Sequence, residues 1–281
     1  MQPNKEQIAL VTGSTDGIGR IAAEKLAAMK MTVLIHGRDR VKCEKAVEEI
    51  RESTGNAKID MYTFDLSSLE EVRKLASKIR SEHSAINILI NNAGILPGKH
   101  TEGKRLLSED GYELCFAVNY LAPFLLTRLL FPLLERASPA RIVNVSSAAQ
   151  KQLDFDNIML ERDYEPMRAY AQSKLALAMF TFELADRVKE MGITANCLHP
   201  GTLLDTKMVR ESSMSAQGSA ESGAIVEVYA ATSAELEDKT GLYLEEQKEV
   251  RAHQQAYDQE AREKLWRLSE ELTESGGERR I

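Results

Sequence analysis

Leu10 to Gly19 reads LVTGSTDGIG: an apolar strand runs into a glycine-rich turn, and the turn runs into a helix. The strand is Ile8 to Val11, the turn carries Gly13, Gly17 and Gly19, and Ile18, Ala22, Leu26 and Met29 follow at helical spacing. A strand-to-helix turn this tight uses backbone angles, and backbone-to-ligand distances, that a Cβ would block. The helix N-terminus then presents free N–H groups and a partial positive charge, which suits a pyrophosphate. The spacing is Gly-x-x-x-Gly-x-Gly rather than Gly-x-Gly-x-x-Gly, so its meaning depends on what surrounds it.

Outward from the turn the chain alternates. Met31 to His36 is a short apolar run suited to a strand buried on both faces. A charged helix follows from about Asp39 to Glu52, with Val41, Cys43, Ala46, Val47 and Ile50 inward and Gly55 closing it. Ile59 to Phe64 is a third strand and Ser67 to Glu82 a third helix, with Ser67 expected as cap and Glu70 placed for a capping box. Ile86 to Asn91, Arg141 to Ser147, Thr194 to Leu198 and Thr240 to Leu244 continue the series of strands. Strands separated by helical stretches imply right-handed crossovers, hence a single α/β domain over 1–281 with a doubly wound parallel sheet of about seven strands and helices on both faces.

At 281 residues and 43% apolar composition the chain can bury a large core. Its net charge is −7 with no basic cluster, which argues against nucleic acid or an anionic membrane surface as partner. The polar start MQPNKEQ leads straight into the first strand, and a cytoplasmic protein without a signal peptide is expected. Leu114 to Leu134 is the most apolar region, but Asn119, Pro123 and Arg128 within it predict a buried helix and no membrane span. Cys43, Cys115 and Cys197 lie far apart without metal-ligand spacing, so reduced thiols and no metal are expected.

Ligands of such sheets bind at the carboxyl ends of the strands, and the end of the second strand meets the adenosine ribose. An acidic residue there would bind the 2′-hydroxyl of NAD. This chain instead has His36-Gly37-Arg38, and the Arg38 guanidinium suits a 2′-phosphate. NADP(H) is therefore expected, and Asp39 and Asp16, which work against a phosphate, keep NAD(H) as the alternative.

With TGSTDGIG, Asp65-Leu66 after the third strand and NNAG at Asn91 to Gly94, the chain resembles the short-chain dehydrogenase/reductase family. The resemblance implies a Rossmann-type sheet, with Asp65 against the adenine and the Asn-Ala-Gly turn supporting the sheet beside the adenine ribose. It implies cofactor contacts from Gly13, Ser14, Thr15, Gly17, Ile18 and Gly19 in the turn, and from Arg38, Asp65 and Leu66 at the next two strand ends. Asn92, Ala93 and Gly94 follow at the fourth strand, and Tyr170, Lys174, Pro200 and Gly201 complete the set.

Asn119 sits in an apolar stretch, where an uncharged polar side chain must find hydrogen-bond partners. In the resembled family an asparagine so placed belongs to the catalytic set and holds a water beside the lysine. The fifth strand ends in Ser146-Ser147, and strand alternation lets only one of them face the site. The family pattern favours Ser147, directly before Ala148-Ala149, with Ser146 as the other candidate. Of the eight tyrosines only Tyr170 has a lysine four residues on, Lys174, a spacing that stacks both on one helix face.

A tyrosine near its reference pKa of about 10 exchanges protons poorly at neutral pH. A lysine cation about 5 Å away, at an effective dielectric of about 20, favours the phenolate by roughly 3 kcal/mol, or about two pKa units. Lys174 is therefore expected to lower the pKa of Tyr170 and to bind the nicotinamide ribose. Ser147 and Tyr170 hold the substrate oxygen, Tyr170 passes the proton, and hydride moves between nicotinamide C4 and the carbonyl carbon. Asn119 completes a proton relay through water.

Ser147 and Tyr170 are twenty-three residues apart, more than many members show. The insertion, with Asp154-Phe155-Asp156 and Glu161-Arg162-Asp163-Tyr164, together with YAQSKLA resembles the retinol-dehydrogenase-like branch, whose members act on lipophilic carbonyls and alcohols. After His199-Pro200-Gly201, the threonine that the family places four residues past the glycine to hold the carboxamide stands five on, as Thr206. His199 reads as structural, because Tyr170 already fills the acid/base role. The serine-rich stretch around 203–222 reads as a substrate lid, with a plain surface loop as the other reading. Ser222 to Ser233 reads as an amphipathic helix. Within 252–275, Tyr257, Ala261, Leu265, Leu268 and Leu272 predict a C-terminal helix ended by Gly276-Gly277. Leu114 to Leu134 and Tyr170 to Met191 are candidate surfaces for a homo-oligomer. The expected activity is a carbonyl–alcohol oxidoreductase. The alternatives are an epimerase or dehydratase on the same scaffold, which the TGxxxGIG spacing argues against, and a non-catalytic NADP(H)-binding regulator, which an intact Ser147, Tyr170 and Lys174 argues against.

Overall fold

Each apolar run becomes a strand whose alternate residues face opposite layers of helices. In the computed structural model, which describes residues 7–96, 103–212 and 214–274, the strands are β1 (Ile8–Val11), β2 (Thr32–Gly37), β3 (Ile59–Thr63) and β4 (Ile88–Asn91), then β5 (Ala140–Val145), β6 (Ile193–His199), β7 (Tyr243–Glu245) and β8 (Lys248–Val250). They form one sheet in the order β3-β2-β1-β4-β5-β6-β7-β8, parallel except for the β7–β8 pair. The chain builds outward from β1 to β3 and then returns to β4 on the other side of β1. The carboxyl ends of β1 and β4 therefore border a topological switch point, where a crevice opens.

The helices are α1 (Gly17–Ala28), α2 (Arg40–Thr54), α3 (Leu69–Glu82), α4 (Leu114–Phe116), α5 (Ala122–Ala137), α6 (Pro166–Val188), α7 (Lys207–Arg210), α8 (Ala220–Thr232) and α9 (Gln259–Thr273). Ala9, Val11, Val33 and Ile35 pack into one apolar layer with residues of α1, α2 and α8. Leu10, Leu34, Leu89 and Ile142 point the other way, into a layer with α3, α5, α6 and α9.

The strand count differs from expectation by one. Glu246 and Gln247 turn β7 back into β8, both at positive φ as a two-residue type I′ hairpin requires. Neither is the glycine or asparagine that usually marks such a turn. The third helix also begins later than expected, at Leu69, and without a capping box: Ser68 is the N-cap but makes no side-chain cap bond, and the Leu69 amide donates to Asp110 Oδ2 at 2.9 Å. The acceptor comes from 41 residues away, so local sequence could not reveal it.

Leu114 to Ala137 is long and apolar enough to cross a membrane, and here it is packed inside the fold. It is interrupted by a π turn over Ala117–Leu121 that carries Asn119. Such bulges are frequent at functional sites. The helix α8 is not amphipathic as expected: Val226, Glu227 and Val228 are buried together on successive sides. The loop after β6 is tied to itself, with Gln217 N donating to Leu203 O and Asp205 N to Gly218 O, and Thr206 caps α7.

The C-terminal helix α9 covers faces of α5 and α6. Trp266 lies with its ring centroid 5.2 Å from Phe124 and 5.8 Å from Phe180, and Arg187 stacks on it at 4.1 Å. Tyr120 and Ser269 share a hydroxyl hydrogen bond. Part of the surface that the sequence offers for oligomerisation is thus occupied by the chain's own tail. Gly276 and Gly277, and the MQPNKE start, lie outside the described residues.

Candidate active site

The glycine turn is bolted to its neighbours from two sides. His36 Nδ1 accepts from Gly13 N at 3.3 Å, and Nε2 donates to Phe64 O at 3.1 Å. Burial lowers the pKa of His36 to about 4, so the ring is neutral and can accept on one nitrogen while donating from the other. Sequence reasoning passed over His36, although a histidine ending an apolar strand beside a glycine turn is visible as a signal. Asn92 Nδ2 donates to Thr12 O and Gly13 O, and Ala93 N donates to Thr12 Oγ1. A Cβ on Gly19 would overlap Asn92 Nδ2, and one on Gly13, whose φ is +65°, would stand 2.8 Å from Ala93 Cα.

One expected amide is not free: Asp16 caps α1 and accepts from Gly17 N at 2.7 Å. The amides of Ile18 and Gly19 remain as first-turn donors. Ser14 is buried in the turn, its Oγ donating to Val11 O. The Thr15 methyl lies where a Cβ on Gly37 would be, and Arg38 is exposed just beyond β2. Asp65 Oδ1 accepts from Ser67 N, and Leu66 is buried beside it. At the end of β6, Gly201 has φ +135° and His199 binds Thr202 Oγ1 through Nε2. The Thr206 methyl reaches the glycine turn, 3.3 Å from where a Cβ on Gly17 would lie. Pro200 lies between His199 and Gly201, half-buried. These positions gather at the carboxyl ends of β1, β2, β3, β4 and β6, and the backbone amides, the small residues and the exposed guanidinium fit a dinucleotide.

Asn119, Ser147, Tyr170 and Lys174 are brought together at the end of β5. The Ser147 hydroxyl lies near the Tyr170 phenol and favours its ionised form, whereas Ser146 Oγ donates to Lys174 O at 2.8 Å and faces α6. Lys174 is buried, with Nζ donating to Val145 O at 2.8 Å. Asn119 is anchored by Ile95 N donating to its Oδ1 at 2.7 Å, and by its Nδ2 donating to Ile95 O and Ser173 Oγ, both at 3.0 Å. A Cβ on Gly94 would stand 3.2 Å from both Asn119 Oδ1 and Lys174 Nζ. Replacing Gly94 with Ala is therefore expected to push the two groups apart and to cut turnover by about 10- to 100-fold with the fold intact, as small displacements of catalytic groups do. Steady-state kinetics beside a thermal melt checks it.

The electrostatics correct one expectation. Burial holds the Tyr170 phenol above its usual range, opposed by the nearby Ser147 hydroxyl and reinforced by Cys115, so the net shift in the protein alone runs upward rather than downward. Lys174 Nζ stands 5.7 Å from the Tyr170 ring centroid and donates to Val145 O. Burial also lowers the pKa of Lys174, to about 8.

The insertion forms a wall. Leu160 packs with Cys115 and Ala169, with Ile95 and Tyr164 against them, and Arg105 Nε donates to Met159 O. Its other end is tied to the tail by Leu153 N donating to Gln255 Oε1 and by Lys264 over the Phe155 ring.

A family profile described as short chain dehydrogenase matches residues 7–217, and the chain belongs to that family. Within it the chain falls in the retinol-dehydrogenase-like branch. Retinol dehydrogenase 13 of Homo sapiens is 36% identical over 281 residues, covering 94% of this chain and 83% of that protein. Polyprenol dehydrogenase of Homo sapiens is 36% identical over 292 residues, covering 96% and 86%. Among solved structures, the Pseudomonas aeruginosa RhlG/NADP active-site complex is similar with a TM-score of 0.69 at 26% identity, over 85% of this chain and 93% of that one. The protein is an alcohol-acting oxidoreductase that uses a nicotinamide cofactor.

Proposed function

We propose that the chain is an NADP(H)-dependent enzyme that interconverts a lipophilic aldehyde or ketone with its alcohol, Tyr170 serving as general acid and base. The observation that carries this reading is the convergence of Asn119, Ser147, Tyr170 and Lys174 at the end of β5: Tyr170 and Lys174 stand one turn apart on α6 with Lys174 Nζ 5.7 Å from the Tyr170 ring, and Asn119 Oδ1 and Lys174 Nζ meet over Gly94. In reduction Tyr170 gives its proton to the substrate oxygen, and in oxidation it takes the proton back; Ser147 hydrogen-bonds the same oxygen. Asn119 Oδ1 and Lys174 Nζ converge over Gly94, a place for the relaying water. Ile18 and Gly19 amides would hold the pyrophosphate and Lys174 the ribose. The nicotinamide, when bound, supplies or receives the hydride.

Two observations support NADP(H). Arg38 is exposed at the strand end that meets the adenosine ribose, and Asp39, which would repel a phosphate, is turned to cap α2 by accepting from Lys42 N at 3.1 Å. The RhlG relative is described as an NADP complex. A lipophilic substrate is supported by the names of the retinol and polyprenol dehydrogenase relatives and by the apolar wall of Ile95, Leu160 and Ala169.

Replacing Arg38 with Ala is expected to weaken NADPH about 10- to 100-fold, the range of one or two charge-assisted bonds, with NADH changed less than about twofold. Equal weakening of both would remove the 2′-phosphate contact. The function itself is tested by fluorescence titration with NADPH and NADH, then by absorbance decay with a panel of lipophilic aldehydes and ketones. Decay with any of them supports the reading; NADPH binding without decay across the panel points to a different substrate class, and absence of binding overturns it.

A further inference from the structure

Gln150 lies just past Ser147, and its carboxamide joins that turn to a part of the chain 103 residues away. Its Nε2 donates to Ser147 O at 2.9 Å, and its Oε1 accepts from His253 N at 2.8 Å. The two partners fix which way the amide points, because turning it over would set donor against donor and acceptor against acceptor. Ser147 itself lies beyond the sheet: β5 ends at Val145, and Ser146 N makes a last bond to Leu198 O. Its Oγ accepts from Ala149 N at 3.1 Å, which fixes the hydroxyl oxygen and leaves its proton to be given. The residue is thus held at both ends, the hydroxyl by Ala149 and the carbonyl by Gln150.

The far partner belongs to a strap, 252–257, between β8 and α9. The strap closes on itself, with Ala252 N donating to Tyr257 Oη at 3.0 Å, Gln255 N to His253 Nδ1 at 3.2 Å and Ala256 N to His253 O at 2.9 Å. It is packed on α6: Ala256 is fully buried, and the Tyr257 ring lies 5.2 Å from that of Phe182. Gln255 makes a second link in the opposite direction, its Oε1 accepting from Leu153 N at 2.7 Å and its Nε2 donating to Leu153 O at 3.3 Å. The segment after Ser147 is therefore clasped to a strap that sits on the helix carrying Tyr170 and Lys174.

We propose that Gln150 is a positioning residue for Ser147: it ties the serine's main chain to the strap on α6, so that the Ser147 hydroxyl keeps its register with Tyr170. The inference rests on the role given to Ser147 in the proposed function, a hydrogen bond to the substrate oxygen. A group that donates to an oxygen as its charge develops must already be in place, and small displacements cost rate more than affinity. On the strap, the link needs the backbone N–H of His253 and not its side chain, so it can be broken far from the reacting atoms.

The test compares kcat, substrate KM, NADPH affinity and thermal melts for the parent, Gln150→Leu, Gln255→Leu, His253→Ala and His253→Pro. His253 has φ −55°, which proline accepts, so proline removes the N–H that alanine keeps. Gln150→Leu and His253→Pro are expected to lower kcat about 10-fold with NADPH affinity within about twofold, while His253→Ala and Gln255→Leu keep kcat within about threefold. Gln255→Leu breaks two bonds between the same segments without touching Ser147, so it measures what loosening alone does. An equal loss of kcat in the two glutamine variants, or in the two His253 variants, would overturn the proposal, as would an unchanged kcat in Gln150→Leu. Hydrogen exchange gives a reading that needs no substrate. Amides 147–150 should exchange faster in Gln150→Leu and His253→Pro than in the parent, and unchanged exchange would overturn the proposal whatever the activity. A parent that binds no NADPH and reduces no aldehyde or ketone would overturn the reading of the whole site, and this role with it. An active parent with unmoved variants would overturn this role alone.

Discussion

Replacing Tyr170 with Phe is expected to lower turnover by about 10³-fold or more while leaving NADPH affinity within about twofold. The phenol is the group placed to exchange a proton with a substrate oxygen at the end of β5. Its near neighbours cannot substitute. Ser147 is an alcohol that accepts from Ala149 N at 3.1 Å, Lys174 directs its proton at Val145 O, and burial raises the Cys115 thiol well above its usual range. Because burial keeps the Tyr170 phenol protonated at neutral pH, the protein alone is set to donate, and oxidation should gain as pH rises toward the phenol's pKa. The stability cost should be small, within about 1 kcal/mol for removing one hydroxyl from a site that keeps its ring. Stopped-flow or steady-state assays beside cofactor titration check the split; unchanged turnover would remove Tyr170 from the chemistry.

Trp266→Ala should cost about 3–5 kcal/mol of folding free energy, the range for emptying a buried aromatic site. The indole is enclosed between Phe124 and Phe180 with Arg187 stacked on it, so its loss removes an edge-to-face contact with Phe124 and a tilted one with Phe180 as well as buried area. The expected value lies at the upper end because of what α9 also covers. Arg128 has its side chain buried with Glu270 of α9 at 3.4 Å as its ion-pair partner, and loosening the helix would strand that charge. Chemical denaturation followed by circular dichroism reads the effect, since the chain has a single tryptophan and the variant loses its fluorescence. A cost under about 1 kcal/mol would mean that α9 contributes little to the packed core.

Much of this fold is legible locally. Gly13, Gly17 and Gly19 follow an apolar strand; a Cβ on Gly13 or Gly19 would collide with the NNAG turn, and Gly17 takes a φ of +57°. Tyr170 and Lys174 share a helix face by spacing alone. Ser146 and Ser147 are different: alternation says that one faces the site, but which one depends on where β5 ends relative to α6, and that is set by packing. The eighth strand was hidden because Glu246 and Gln247 take left-handed angles without the usual residues for them. The π turn at Asn119 was hidden because an apolar sequence reads the same through an α or a π turn.

By itself, then, the sequence determined the alternating strands and helices, the glycine turn, the Tyr170–Lys174 pair and the family, because each depends on periodicity or on contacts within a few residues. Tertiary structure alone decided the cap of α3 by Asp110, the covering of α5 and α6 by Trp266, the raised phenol of Tyr170 and the burial of Glu227 without a hydrogen-bond partner among the described residues. Those depend on distance through space and on exclusion of water, and neither is written in the order of neighbouring residues.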